Sequence, residues 1–114
     1  MDIVGKIKDT FEDKGNGWTR WDILVETETE KYNLKLKEIL RVGSFNIDAS
    51  SVKKEEIRLI TGITERSGNL NFTGISEPLT KEQAAAISDQ IEIDRMNTAS
   101  DRATVLNALK KGVN

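Results

Sequence analysis

The stretch Glu56–Ser76, EIRLITGITERSGNLNFTGIS, carries the strongest β-hairpin signal in the chain. Within it, the five residues ERSGN at 65–69 place a glycine where a three-residue hairpin loop needs a left-handed backbone. This loop sets a register that pairs Leu59 with Ile75 and leaves apolar side chains on both faces of the hairpin. We therefore predict that the hairpin lies at the centre of a sheet and is covered on both sides.

A second hairpin is predicted between residues 18 and 36, where apolar and polar residues alternate in two separate runs. The loop between the runs, residues 28–31, contains neither Gly nor Asn, which favours a four-residue turn. In the resulting register Val25 lies opposite Leu34, and the apolar side chains of both strands share one face. That face is predicted to point into the core.

Helical spacing of apolar residues predicts a short N-terminal helix over residues 2–12. The residues that form this apolar stripe are Ile3, Val4, Ile7 and Phe11. Because an isolated helix of this length is marginal, it must pack on the sheet or on a second subunit.

The clearest helix start in the sequence is at Thr80, which forms a capping box with Gln83. Thr98 and Asp101 form a second cap signal, which predicts a separate last helix. One continuous helix over residues 81–111 is the alternative. The sequence leaves the choice between one and two C-terminal helices open.

Together these elements predict an α+β fold. It consists of an antiparallel sheet of four to five strands built from two hairpins, a short N-terminal helix, and one or two C-terminal helices. A short strand over residues 44–48, with Phe45 and Ile47 pointing inward, completes the predicted sheet. A chain of 114 residues is long enough for one domain with one core, so residues 1–114 are expected to form a single domain.

The composition excludes several classes of protein. The net charge is −2 and the pI is near 5.2, so the chain as a whole does not attract nucleic acid or an anionic membrane. It contains no Cys and no His, which removes thiol catalysis, cysteine metal sites and the commonest general base. No run approaches the roughly 20 apolar residues of a membrane span, and no signal-peptide pattern is present. We expect a soluble cytoplasmic protein without a metal or a cofactor.

Four residues are candidates for contact with a partner: Trp18, Arg20, Leu106 and Leu109. Strand alternation puts Trp18 and Arg20 on the face opposite Trp21, and Trp and Arg are enriched at binding hot spots. The alternative for Trp18 is that it covers the open end of the core. Leu106 and Leu109 belong to an apolar stripe on the predicted last helix, and so short a chain has little other surface to cover that stripe.

The charged residues give weaker indications. Carboxylates such as Glu26 and Glu28 lack the loop spacing of a calcium site, so we interpret them as solvated charge. Lys31, Lys35 and Lys37 are predicted to share a face with acidic residues. This mixed patch makes nucleic acid an unfavoured partner.

No catalytic motif is recognisable, so the leading hypothesis is a non-enzymatic interaction or assembly protein. Its partner would be another protein or a second copy of the chain, as in a homo-oligomer, and its small size suggests a component of a phage or mobile element. The alternatives are a small ligand-binding or carboxylate-dependent enzyme domain and a weak nucleic-acid binder. A deep pocket with a perturbed carboxylate would favour the first alternative, and salt-sensitive retention on nucleic acid would favour the second.

Overall fold

The computed structural model describes residues 1–31 and 34–94, which form one mixed β-sheet and one helix. The strands are β1 (Ile3–Gly15), β2 (Trp18–Lys31), β3 (Leu34–Ser44), β4 (Ile57–Thr61), β5 (Thr64–Arg66), β6 (Asn69–Asn71) and β7 (Gly74–Ile75). Helix α1 covers residues 81–94. The α+β prediction with four to five antiparallel strands is therefore wrong, because this part of the chain is mostly β and contains a seven-stranded mixed sheet.

The strand order is β5-β6-β3-β2-β1-β4-β7, and among the strands that the structure describes only β3 and β6 pair in parallel. β4 and β5 are far apart in this order, yet only Gly62 and Ile63 connect them. Such a connection spans at most about 11 Å, so the sheet must curl until its two ends approach each other. Thr73 N donates to Thr61 O at 3.0 Å, and Ile63 N donates to Met1 O at 2.7 Å. These bonds hold the resulting half-barrel together where it bends.

The prediction that the hairpin at 56–76 lies at the centre of the sheet is wrong. The hairpin instead joins the two ends of the sheet. Its base, β4 and β7, extends the sheet beyond β1, and its tip, β5 and β6, extends the sheet beyond β3. Gly62, with φ of +67°, lies in the bend between the two halves. This positive φ suits glycine because it has no Cβ.

The tip of the hairpin turns through two residues, Ser67 and Gly68, rather than three. Both have positive φ, 53° and 81°, as the tight primed turns of hairpins require. The register is therefore one residue from the prediction, with Ile75 opposite Ile60 instead of Leu59. Serine rarely adopts this backbone conformation, which is why the sequence favours the longer loop.

The predicted N-terminal helix over residues 2–12 is also wrong, because this segment belongs to strand β1. Ile3, Ile7 and Phe11 recur every four residues, a spacing that fits a helix and also the two-residue period of a strand. Ile3, Gly5 and Ile7 are buried, whereas the residues between them are partly exposed, which is the alternation of a strand. A β-bulge after Ile7 then shifts the alternation by one residue, so that Phe11 lies on the opposite face.

The β2–β3 hairpin forms as predicted, but its register differs. Val25 lies opposite Leu40 instead of Leu34, a shift of six residues. An even shift keeps each side chain on its face, so Ile23 and Val25 are fully buried as expected. Leu34 is exposed, since the strands continue past the region where β1 pairs with β2.

The core lies on the inner face of the half-barrel. Its buried apolar residues are Ile3, Ile7, Ile23, Val25, Val42, Ala49, Val52, Ile60, Ile63 and Phe72. Trp21 and Ile47 pack against it, as predicted, whereas Phe45 is exposed. Phe45 follows the buried Ser44 at the end of β3, so its side chain lies on the outer face.

The predicted capping box at the start of α1 is confirmed. Gln83 N donates to Thr80 Oγ1 at 3.1 Å, and Thr80 N donates to Gln83 Oε1 at 2.9 Å. The predicted second helix, with Leu106 and Leu109, lies outside the described residues. Of the helical residues that the structure describes, none belong to a helix long and apolar enough to cross a membrane.

Replacing Thr80 with Ala should lower the free energy of unfolding by about 1 kcal/mol, because Gln83 N loses its acceptor. Thermal and urea denaturation followed by circular dichroism would measure this loss. Thr80→Ser keeps the hydroxyl and serves as the matched control, with most of the stability retained. An unchanged midpoint for Thr80→Ala would show that the first turn of α1 does not unfold together with the sheet.

Candidate binding surface

Six side chains lie close together on the outer face of β1, β2 and β3, opposite the core. They are Phe11, Trp18, Arg20, Asp22, Arg41 and Phe45, and we call them the aromatic-arginine patch. Alternation along β2 places its three members on the same face. Phe11 of β1 lies directly opposite Asp22, so the patch continues across neighbouring strands.

Trp18 and Phe45 form the aromatic end of the patch. Their ring centroids are 5.9 Å apart and the planes meet at 76°, an edge-to-face arrangement. Trp18 is 44% exposed and Phe45 is 57% exposed. The indole lies over Gly15, where a Cβ would overlap the ring. Glycine at this position therefore allows Trp18 to lie against the strand while much of its surface remains open.

Arg20 links the patch to β6. Its Nε donates to Asp22 Oδ1 at 2.9 Å, its Nη1 to Asn71 Oδ1 at 2.7 Å and its Nη2 to Leu70 O at 3.2 Å. The guanidinium carbon is 5.0 Å from the ring centroid of Phe45. All three nitrogens are used and the side chain is only 16% exposed, so Arg20 mainly fastens the parallel strand to the sheet.

Arg41 has a different environment from Arg20. Its Nε and Nη2 both donate to Asp22 Oδ2, at 3.2 Å and 2.8 Å, and its guanidinium carbon is 5.1 Å from the ring centroid of Phe11. The side chain is 60% exposed. Arg41 is thus held by one carboxylate oxygen and one ring while more than half of its side chain is exposed to solvent.

Gly43 makes room for the charged part of the patch. It lies directly opposite Asp22 in the β2–β3 register. A Cβ at this position would overlap Asp22 Oδ1 and Arg20 Nη2. The two arginines and the aspartate can therefore meet above the sheet only because β3 has no side chain there.

The structure brings two of the four predicted site residues together. Trp18 and Arg20 lie on one face, as predicted from alternation, and Trp18 is not part of the core. Arg20 is more buried than a contact residue would be. Leu106 and Leu109 lie outside the described residues.

Sequence reasoning missed the other four members of the patch. The predicted helix stripe includes Phe11, and the bulge that turns this side chain outward leaves no clear local signal. The prediction for Phe45 is an inward side chain, which is wrong. Asp22 and Arg41 come together through a strand register that the alternation alone does not fix.

A groove of about 1040 Å³ lies between α1 and the sheet, away from the patch. Apolar side chains such as Leu40 and Leu70 line it together with charged ones such as Glu38 and Lys81. No group of three side chains suited to a metal ion occurs anywhere in the described residues. Within the described part of the chain, the groove therefore has no group of side chains suited to hold a metal ion.

Among the described residues, two carboxyl groups have altered acidity, and both lie outside the patch. Hydrogen bonds from Ser50 lower the pKa of Asp48, and hydrogen bonds from the Lys53 backbone and the Arg58 side chain lower the pKa of Glu56. Each shift stabilises the ionised form, whereas a general acid near neutral pH needs a raised pKa. These shifts give no support to the carboxylate-dependent enzyme hypothesis.

Comparison with protein-family models and with curated proteins finds no match for this chain. A fold by itself does not specify a function. The chemistry of the patch and its place in the fold therefore indicate which ligands the protein can bind.

Gly43→Ala should destabilise the protein by about 1–3 kcal/mol, because the added methyl group displaces the Arg20–Asp22 pair. Urea denaturation would measure the loss. The same substitution in an Asp22→Ala background should cost less, since the overlapping carboxylate is gone and only the Arg20 guanidinium still has to move. Equal costs in the two backgrounds would contradict the proposed overlap, because the double-mutant cycle would show no coupling.

Proposed function

We propose that the protein is a non-enzymatic binding module for single-stranded nucleic acid, which contacts the aromatic-arginine patch. The observation that carries the proposal is the exposed Trp18–Phe45 pair beside two arginines on an outer strand face. Proteins that bind single strands combine aromatic platforms for the bases with cationic side chains for the backbone. The patch offers both within one small surface.

The connectivity of the strands supports the same proposal. β1, β2 and β3 form a meander. The bent hairpin adds two more strands if β4 and β5 are counted as one bent strand and β6 and β7 as another, which gives five strands in total. This arrangement corresponds to the partly open five-stranded barrel of the OB-fold, which binds oligonucleotides and oligosaccharides on strands 2 and 3 and the adjoining loops. Here Trp18 follows the β1–β2 turn, and Arg20 contacts the strand after the β5–β6 turn.

The charge of the protein limits the strength of this binding. With a net charge of −2, long-range attraction to a polyanion is absent, so binding must come from stacking and from few phosphate contacts. One or two phosphate contacts predict a slope of about −0.7 to −1.4 in a plot of log K against log salt for a single strand. A duplex, whose bases already stack on one another, should bind more weakly than a single strand.

The test is fluorescence anisotropy with a labelled oligothymidylate of about 15 nucleotides, near the upper site size of such modules. Trp18→Ala and Phe45→Ala should each weaken binding by roughly 5- to 150-fold, which corresponds to the loss of about 1–3 kcal/mol per stacked base. Ile93→Ala removes an exposed apolar side chain from α1 and is the matched control. Full affinity in both aromatic variants would contradict the proposal.

A protein partner or a second copy of the chain is the second candidate ligand. Beyond Glu26, where pairing of β2 with β1 ends, residues 28–31 and 34–38 form a two-stranded arm. Leu34 and Leu36 of the arm are exposed, as is the adjoining Ile39. Of the described β3 residues only two pair with β6, so the arm has an open edge to which another strand can add.

If the arm mediates self-association, Leu36→Glu should shift the protein towards monomer in size-exclusion chromatography with light scattering. The physical reason is that a charged side chain is costly to bury in an apolar contact. Ile93→Glu, which places the same charge on α1, should leave the mass unchanged. A wild-type protein that is monomeric throughout the micromolar range would contradict self-association through the arm.

A further inference from the structure

Asp22 is an acidic side chain in the middle of a surface that should receive an anionic ligand. It is buried, and it accepts hydrogen bonds from Arg20 through Oδ1 and from Arg41 through Oδ2. Its charge opposes the binding of a polyanion, whereas its hydrogen bonds fix the cations that would favour it. When Asp22 is replaced by a neutral residue, loss of the charge predicts tighter binding of the polyanion. Loss of the hydrogen bonds predicts weaker binding.

We propose that Asp22 is a positioning residue that holds Arg41 over the ring of Phe11, so that the free edge of the guanidinium meets a phosphate of the bound strand. This inference rests on the proposed function. Arg41 is the phosphate contact, and Asp22 acts through it without touching the ligand. A bidentate contact between an arginine and a phosphate depends on the orientation of the planar guanidinium as well as on its charge.

The contacts of the two arginines show why Arg41, and not Arg20, has this role. Arg20 directs its three nitrogens to Asp22, Asn71 and Leu70 O, and little of it reaches solvent. Arg41 uses only Nε and Nη2, so its Nη1 has no hydrogen-bond partner among the described residues. Its side chain is mostly open to solvent. A phosphate can therefore bind Arg41 without breaking the link between β2 and β6.

Phe11 completes the arrangement from the neighbouring strand. Its ring lies beneath the guanidinium of Arg41, where a cation–π contact restricts rotation of the side chain. A flexible arginine loses conformational freedom when it binds, and one that is already held loses less. The bulge in β1 that turns Phe11 outward is thus part of the binding surface as well as of the fold.

The experiment measures the affinity of the full chain for the labelled oligothymidylate at several salt concentrations. Asp22→Asn should weaken binding by about three- to tenfold, although it removes a negative charge, because Arg41 is no longer held. The salt slope should become shallower by about 0.7, the value of one lost phosphate contact on a single strand. Asp22→Asn binding as tightly as the wild type, or more tightly with a steeper slope, would overturn the inference.

Arg41→Lys tests the inference without altering Asp22 or its bond to Arg20. This variant still tests the positioning role if Asp22→Asn does not fold. Lysine keeps the charge but lacks the planar fork, so Arg41→Lys should bind nearly as weakly as Arg41→Ala. Lys54→Ala is the matched control, since it removes an exposed cation of the same charge from the loop between β3 and β4. Wild-type affinity in Arg41→Lys would show that only charge matters and would refute a positioning role.

The outcomes separate this inference from the proposed function. If the wild type does not bind the oligonucleotide, or if Trp18→Ala and Phe45→Ala bind like the wild type, both proposals fail. If the aromatic variants bind weakly while Asp22→Asn and Arg41→Lys bind normally, only the positioning role fails. Weak binding in all four variants, together with normal binding in Lys54→Ala, supports both.

Discussion

The short connection between β4 and β5 is the constraint on which the rest of the structure depends. Because Gly62 and Ile63 join strands near opposite ends of the sheet, the sheet has to curl. Curling encloses the core on its inner face and brings β6 beside β3 in parallel. It also places the carbonyl of Leu70 and the side chain of Asn71 within reach of Arg20. Closure of the half-barrel therefore also fixes Arg20, one member of the patch, against β6.

This coupling ties the side chains of the candidate surface to one another and to the sheet. Arg20 fastens β6 to β2, and the same Asp22 that fixes Arg20 also holds Arg41. Two glycines, Gly15 and Gly43, leave space for the indole and for the charged cluster. A surface arranged in this way before the ligand arrives loses little conformational entropy on binding. The half-barrel contributes to the proposed function through this preorganisation.

The low charge of the chain and of the patch favours a ligand that binds through flat apolar faces as well as through charge. The chain has a net charge of −2, and the patch contains an aspartate between its arginines. A ligand with charge alone gains little from such a surface. A single nucleic-acid strand offers bases to Trp18 and Phe45 and phosphates to Arg41, and its affinity would depend more on stacking than on counterion release.

The sequence by itself determined the features that depend on neighbouring residues. Alternation placed Ile23 and Val25 in the core and Trp18 on the other face, and the capping box located the start of α1. Only the tertiary structure decided the strand order, the registers and the patch. An alternating strand satisfies its pattern in every register that differs by an even number of residues. Contacts between distant segments, such as Asp22 with Arg41 and Arg20 with Asn71, stabilise one of these registers over the others. A pattern of neighbouring residues does not show which distant segments will meet.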